Sequence, residues 1–196
     1  GVDSSQTMLM AGRRADLAAS GFFRRLINQG RGSRSMRAGA DLNALPLSGQ
    51  CIDFIWSNAA LHWLDDLPET FQEFNRVLRV GGLLMFSLFG PDTLKELRLA
   101  TQMTVGSSGR VDRTQSFVDM HDVGDMLVNG GFSDPVMDME TLTLTYVDPW
   151  QALRELKKMG SCVATYFTAP GLTTKRFWRR VIAQWPRDSE GRYTVT

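Results

Sequence analysis

The chain of 196 residues has only two cysteines, Cys51 and Cys162. One falls in an apolar run and the other far along the chain, so no disulfide framework is expected. Both thiols read as reduced, as in a cytoplasmic protein. Charge of one sign is also lacking: a net charge of +1 argues against a protein whose main business is nucleic acid. No run of about 18 apolar residues occurs, so no membrane span is expected. The start, GVDSSQTML, has neither the basic n-region nor the apolar h-region of a secretory signal. Paired carboxylates, His/Cys metal-ligand spacing and a Ser-His-Asp arrangement are all missing, which counts against hydrolysis and predicts no metal site. Internal repeats are missing too. What remains, 43% hydrophobic residues in this length, suits one globular domain with room for a small insertion.

The most informative stretch is 51–92. Cys51–Ser57 is an apolar run ending in Ser57-Asn58. Phe71, Phe74, Val77 and Leu78 then recur at helical spacing, Gly81-Gly82 is expected to stop that helix, and Leu83–Leu88 is again apolar. Strands without polar alternation are expected where helices cover both faces of a parallel sheet. The pattern predicts a βαβ unit whose polar punctuation lies at the carboxyl ends of its strands, where open α/β sheets bind ligands.

Elsewhere, Gly1-Val2-Asp3 reads as the end of a strand, with Ser4 or Ser5 capping the helix that follows. Ser35–Ala40 is a weak strand candidate, followed by a turn over 41–46. Pro91 suits the first turn of a helix that runs through Leu94, Leu97 and Leu99. Residues 104–116 read as loop, and Asp119–Val128 as a helix closed by Asn129-Gly130-Gly131-Phe132. Val136–Val147 is β-rich, Trp150–Met159 and Thr173–Trp185 are helical, and 191–196 begins a final strand.

The run FIWSNAALHWLDD, then FNRVLRVGG, and later LRELKKMG (Leu153 to Gly160) resemble the class I S-adenosylmethionine (SAM)-dependent methyltransferases. Within that class they are most similar to the malonyl-carrier-protein carboxyl methyltransferases of biotin synthesis. The resemblance implies an α/β, Rossmann-like sheet, mostly parallel, with helices on both faces and a small helical lid. It divides the chain into a methyltransferase core (1–148), a lid (149–190) and the start of a final strand (191–196). In the resembled fold a glycine-rich strand–turn–helix precedes the motif matched by Gly1-Val2-Asp3; no GxGxG occurs here. Losing a central strand forfeits buried side chains contributing roughly 1.5–3 kcal/mol each, against a domain's net stability of about 5–15 kcal/mol. The chain therefore reads as a fragment, incomplete at both termini and inactive alone.

The resemblance also implies site residues. Asp3 takes the place of an acid that accepts both ribose hydroxyls of SAM, a task suited to an acceptor-only carboxylate. Its plain alternative is a helix N-terminal acid favoured by the macrodipole. Asp41 and Leu42 match the turn that holds adenine, with an ordinary Asx-turn as the alternative; Met8 and Leu42 would supply apolar faces to the ring. Asn58 stands beside the expected sulfonium, or else caps the next helix. His62, next to Trp63, reads more simply as a packed or surface residue than as a general base. Arg154 and Lys157, three apart on one helix, would neutralise a substrate carboxylate, or else form a solvated face.

Two basic segments complete the picture. Seven arginines and one acid, Asp16, lie between Arg13 and Arg37, reading as a solvated rim or an RNA-binding arm. Lys175, Arg176, Arg179 and Arg180 would suit docking of an acidic carrier protein, or else form a solvated helix. The expected function is SAM-dependent methyl transfer to the free carboxylate of malonyl-acyl-carrier protein, in the cytoplasm. The alternatives are methylation of another small molecule or RNA, and a non-methylating assembly protein of the same fold.

Overall fold

The computed structural model describes residues 1–11, 36–105, 117–158 and 174–196. Cys162, the arginines at 13–34 and the Met159-Gly160 end of the third motif lie outside them. The chain forms two compact units, residues 1–87 with 124–135, and 88–123 with 136–196.

In the first unit, β1 (Val2–Asp3) pairs in parallel with β2 (Ala38–Gly39), Val2 opposite Ala38 and Asp3 opposite Gly39. A second parallel pair joins β3 (Ile52–Asn58) to β4 (Leu78–Ser87). Between these two strands run a 3₁₀ turn (Leu61–Trp63) and helix α1 (Leu67–Val77). The βαβ unit legible in 51–92 is therefore present. α1 starts where the Asp66 side chain accepts from the Glu69 N–H at 2.9 Å, with Pro68 in its first turn. Its inner stripe, Leu67, Thr70, Phe71, Phe74 and Val77, is buried, and Phe71 meets Phe86 of β4 with ring centroids 5.5 Å apart.

The helix ends at Val77, before Gly81-Gly82, and both glycines lie inside β4. Leu78, expected in the helical stripe, already has extended backbone. An advance of two residues along β3 (Ile52 to Phe54) is then matched by five along β4 (Leu78 to Leu83), a bulge in the ladder. Gly81, at φ +77°, makes the left-handed step this bulge needs, so its role is to bend a strand rather than to end a helix.

Coverage of this sheet also differs from expectation. Ile55, Ser57, Leu84 and Phe86 are half-buried on the α1 side. On the other side Phe54, Trp56, Leu83 and Met85 are 49%, 69%, 55% and 54% exposed, with Phe54 opposite Leu83 and Trp56 opposite Met85. Both faces are apolar in sequence, yet among the described residues helix coverage reaches one of them.

Helix α2 (Lys95–Val105) belongs to the second unit, with Pro91–Leu94 as a turn ahead of it. Helix α3 (Met120–Asn129) begins in the second unit and ends in the first. It closes as expected: Phe132 N–H returns to Leu127 O, Gly131 lies at φ +91°, and Asn75 Nδ2 donates to Gly131 O at 3.0 Å. The β-rich run 136–147 forms only β5 (Leu144–Tyr146), antiparallel to β6 (Tyr193–Val195). Helices α4 (Pro149–Lys158) and α5 (Lys175–Gln184) complete the second unit. Its core gathers Leu97, Ala100, Ala152, Val181, Trp185, Tyr193 and Val195. Trp185 Nε1 donates to Thr194 O at 2.8 Å, and the Glu96 carboxylate accepts from the Thr196 N–H and hydroxyl at 3.0 and 2.7 Å.

Candidate functional site

Asp3 closes β1. Its Oδ1 accepts from the Ser5 N–H at 2.7 Å, and Ser5 Oγ in turn accepts from the Met8 N–H at 3.3 Å, opening the helical segment 6–11. Ser5 is thus the cap and Asp3 supports it. One carboxylate oxygen is engaged in this turn; Oδ2 takes no hydrogen bond among the described residues. Met8 is exposed one turn on.

Asp41 follows β2 and forms the Asx-turn considered for it: Oδ1 accepts from the Asn43 N–H at 3.0 Å. That turn does not hang free. Thr70 Oγ1 of α1 donates to Asn43 Oδ1, Leu45 N–H donates to Glu73 Oε1 at 2.7 Å, and Arg76 Nη1 donates to Leu47 O at 2.9 Å. Arg76 also grips Glu73 at two points, Nε–Oε2 2.6 Å and Nη2–Oε1 2.7 Å. The hydrogen bond from Arg76, with help from the Leu45 N–H, holds the Glu73 carboxyl below its usual range, against the opposing effect of burial. Thr70, Glu73 and Arg76 are positioning residues that sequence reading passed over. Their helical spacing was visible, but their partners lie 27 to 31 residues away.

Asn58 closes β3 next to Ala59, which sits at φ +47°, a left-handed conformation rare outside glycine. Ser87, the last residue of β4, fixes this corner: its Oγ donates to Asn58 Oδ1 at 2.6 Å and accepts from the Ala59 N–H at 3.1 Å. The cap of α1 is Asp66, so Asn58 is not spent on capping that helix. Ser87 was missed as well, because it lies inside the run Leu83–Leu88 that reads as apolar. His62 lies in the 3₁₀ turn with its ring 5.0 Å from that of Trp63, and burial lowers its pKa.

Asp3, the Asp41 turn and Asn58 therefore all stand at carboxyl ends of parallel strands in one unit, where open α/β sheets bind ligands. The same helix holds the Asp41 turn and follows Asn58. Arg154 and Lys157 lie on α4 in the other unit; both are exposed, and Arg154 Nη2 pairs with Asp148 Oδ2 at 3.1 Å. Among the described residues no group of three His, Cys, Asp or Glu could hold a metal ion, and no helix is long and apolar enough to cross a membrane.

A family model described as a methyltransferase domain matches residues 1–86, the segment that carries Asp3, Asp41 and Asn58. Curated malonyl-[acyl-carrier protein] O-methyltransferases of Gallionella capsiferriformans and Nitrosospira multiformis are 48% and 47% identical over 156 and 166 residues. These matches cover 80% and 83% of this chain but 52% and 53% of those proteins, so the chain spans about half the length of the curated relatives it matches. Among solved structures, the YcgJ protein of Bacillus subtilis superposes with a TM-score of 0.58 at 13% identity, covering 100% of this chain and 76% of its own. At that identity the likeness is one of fold. Residues 1–86 thus match a methyltransferase domain, and the chain has the class I SAM-dependent methyltransferase fold.

Proposed function

We propose that the chain supplies the SAM site and part of the acceptor site of a carboxyl O-methyltransferase acting on malonyl-acyl-carrier protein. The observation that carries this reading is the placing of Asp3, Asp41 and Asn58 at strand carboxyl ends inside the segment that matches the methyltransferase domain. The residues suit the cofactor. Asp3 Oδ2 is available for the ribose hydroxyls while Oδ1 keeps the turn. The Asp41 carboxylate would accept from the adenine amine, the Leu42 N–H would donate to the ring, and Met8 and Leu42 would flank it. The corner held by Ser87 fixes Asn58 and Ala59, which with the small Ala60 would lie beside the reacting centre.

SAM supplies an electrophilic methyl group and its own leaving group. The acceptor is a free carboxylate, with an ordinary pKa of about 4, ionised at neutral pH without a base. The protein has only to align oxygen, methyl and sulfur and to exclude water, and needs no catalytic dyad. Residues 149–190 are the proposed lid, with Arg154 and Lys157 the candidates to neutralise the malonyl carboxylate. Arg154 already holds a carboxylate, that of Asp148, and substrate would take its place. The relatives' names favour an acyl-carrier protein as partner, and the proposed setting is biotin synthesis in the cytoplasm. Because the chain spans half of its relatives, the activity belongs to the full-length protein. The test is transfer of labelled methyl from SAM to malonyl-carrier protein by that protein, with Asp3→Ala alongside; full activity in the variant would remove the ribose assignment.

A further inference from the structure

Helix α5 (Lys175–Gln184) has two unlike sides. Val181 is buried, and Phe177, Trp178 and Ile182 pack against the core that contains Leu97, Ala100, Trp185 and Tyr193. Lys175, Arg176, Arg179 and Arg180 are exposed. Nothing in the sequence of the helix offsets them, since it contains no Asp or Glu.

This arrangement works against the helix. Lys175 and Arg176 stand in its first turn, where the macrodipole disfavours cations. Lys175 and Arg179, and again Arg176 and Arg180, are like-charged neighbours at i,i+4. None of the four has an ion-pair partner among the described residues, although carboxylates of the same unit are engaged elsewhere. Asp188 and Glu190 bind Arg192, Glu96 binds Thr196, and Glu155 binds Tyr146 and Gln151. The Thr174 cap, accepting from the Phe177 N–H at 3.3 Å, and the buried side hold the helix in place despite this repulsion. The outcome is a row of four cations with no ion-pair partner among the described residues.

We infer that the exposed side of α5 is the surface on which an acidic carrier protein docks. This rests on the methyltransferase reading for the identity of the partner, and on charge complementarity for the place. A carrier protein is favoured over a nucleic acid because the helix's aromatic rings, Phe177 and Trp178, are turned into the core. Sequence-tolerant binding of single strands needs rings free to stack on bases.

The test uses the full-length protein with Lys175→Glu/Arg179→Glu, and Lys175→Gln/Arg179→Gln as a milder variant. Two methyl acceptors are compared, malonyl-carrier protein and malonyl-pantetheine, which presents the same carboxylate without the carrier. If the carrier protein docks on α5, these substitutions raise its KM by about tenfold or more and leave kcat and the malonyl-pantetheine rate unchanged. The wild-type KM should rise with salt, and that of the double variant should not. An unchanged KM for the carrier protein, or an equal loss on both acceptors, overturns the inference. Should the wild type methylate neither acceptor, the methyltransferase reading fails, and docking is read from fluorescence anisotropy of the carrier protein alone. Binding weakened about tenfold by the double variant then upholds docking, and unchanged binding ends it. Tighter binding of single-stranded RNA than of the carrier protein, lost in the same variant, also overturns it.

Discussion

Glu73 and Arg76, one turn apart on α1, form a two-point ion pair, and each also reaches the loop between β2 and β3. Glu73 Oε1 takes the Leu45 N–H, while Arg76 donates to the carbonyls of Leu45 and Leu47. The pair therefore fastens the segment that carries Asp41 to the helix that follows Asn58. A surface ion pair of this kind contributes little in itself; its importance lies in the backbone groups it satisfies.

Removing the Glu73 carboxylate strands the Leu45 N–H. Glu73→Ala should lower stability by about 1–3 kcal/mol, measured by urea unfolding of the full-length protein. The pH dependence follows from the depressed Glu73 pKa. Its stabilisation is present above the ordinary value of 4.5 and is lost as pH falls through the lower folded value. Below pH 4.5 the melting temperature of the wild type should therefore fall more steeply than that of Glu73→Gln. Parallel curves would show that Glu73 is not held in this way.

Phe71 of α1 is fully buried against Phe86, and a Cβ on Gly130 would stand 3.2 Å from its own Cβ. With neighbours this close on two sides, the site cannot collapse around a smaller residue. Phe71→Ala should cost about 3–5 kcal/mol, at the upper end for core truncations. Equilibrium unfolding measures it.

The bulge in β4 gives a prediction about side-chain choice. Gly81 is left-handed with open space around it, so Gly81→Ala should cost about 1–2 kcal/mol of backbone strain. Gly81→Asn should cost less, because Asn tolerates that conformation. Gly82 differs: an added Cβ would stand 2.9 Å from Arg79 O, backbone that must move. Gly82→Ala should disturb the β3–β4 pairing itself, visible as loss of amide exchange protection at Phe54 and Leu83.

How far the sequence was legible can be judged from these same elements. The stripe Phe71, Phe74, Val77 announced α1 because its period reflects contact with one neighbouring surface. Leu78 extended that period by chance and already belongs to β4, so the helix end was misplaced. Gly81-Gly82 was read as a helix stop because glycine signals a left-handed step without saying which element takes it. Val136–Val147 read as β-rich, yet only Leu144–Tyr146 finds a partner in β6. The strand-end positions of Asp3 and Asn58 could be read locally. The fastening of the Asp41 turn by Thr70, Glu73 and Arg76, and of Asn58 by Ser87, could not, since each joins residues 27 to 31 apart in sequence.

Asp3 separates two roles that one substitution would confuse. Asp3→Asn keeps an oxygen for the Ser5 N–H but lacks the charge and second acceptor proposed for the ribose. It should leave the melting temperature nearly unchanged and weaken SAM binding by about tenfold or more, since hydrogen bonds to a charged group contribute about 1.5–3 kcal/mol. Asp3→Ala should affect both. Calorimetric titration with SAM beside thermal melting reads the two apart; unaltered SAM affinity in both variants would leave Asp3 as a turn residue only.

The central claim is that the site serves methyl transfer from SAM to the free carboxylate of malonyl-carrier protein. Intact-mass measurement of malonyl-carrier protein after incubation with SAM and the full-length protein tests it most directly. The expected result is the mass of one added methyl group, with no change in acetyl-carrier protein, which has no free carboxylate. Malonyl-carrier protein that keeps its mass, or acetyl-carrier protein that gains a methyl equally, would contradict the claim.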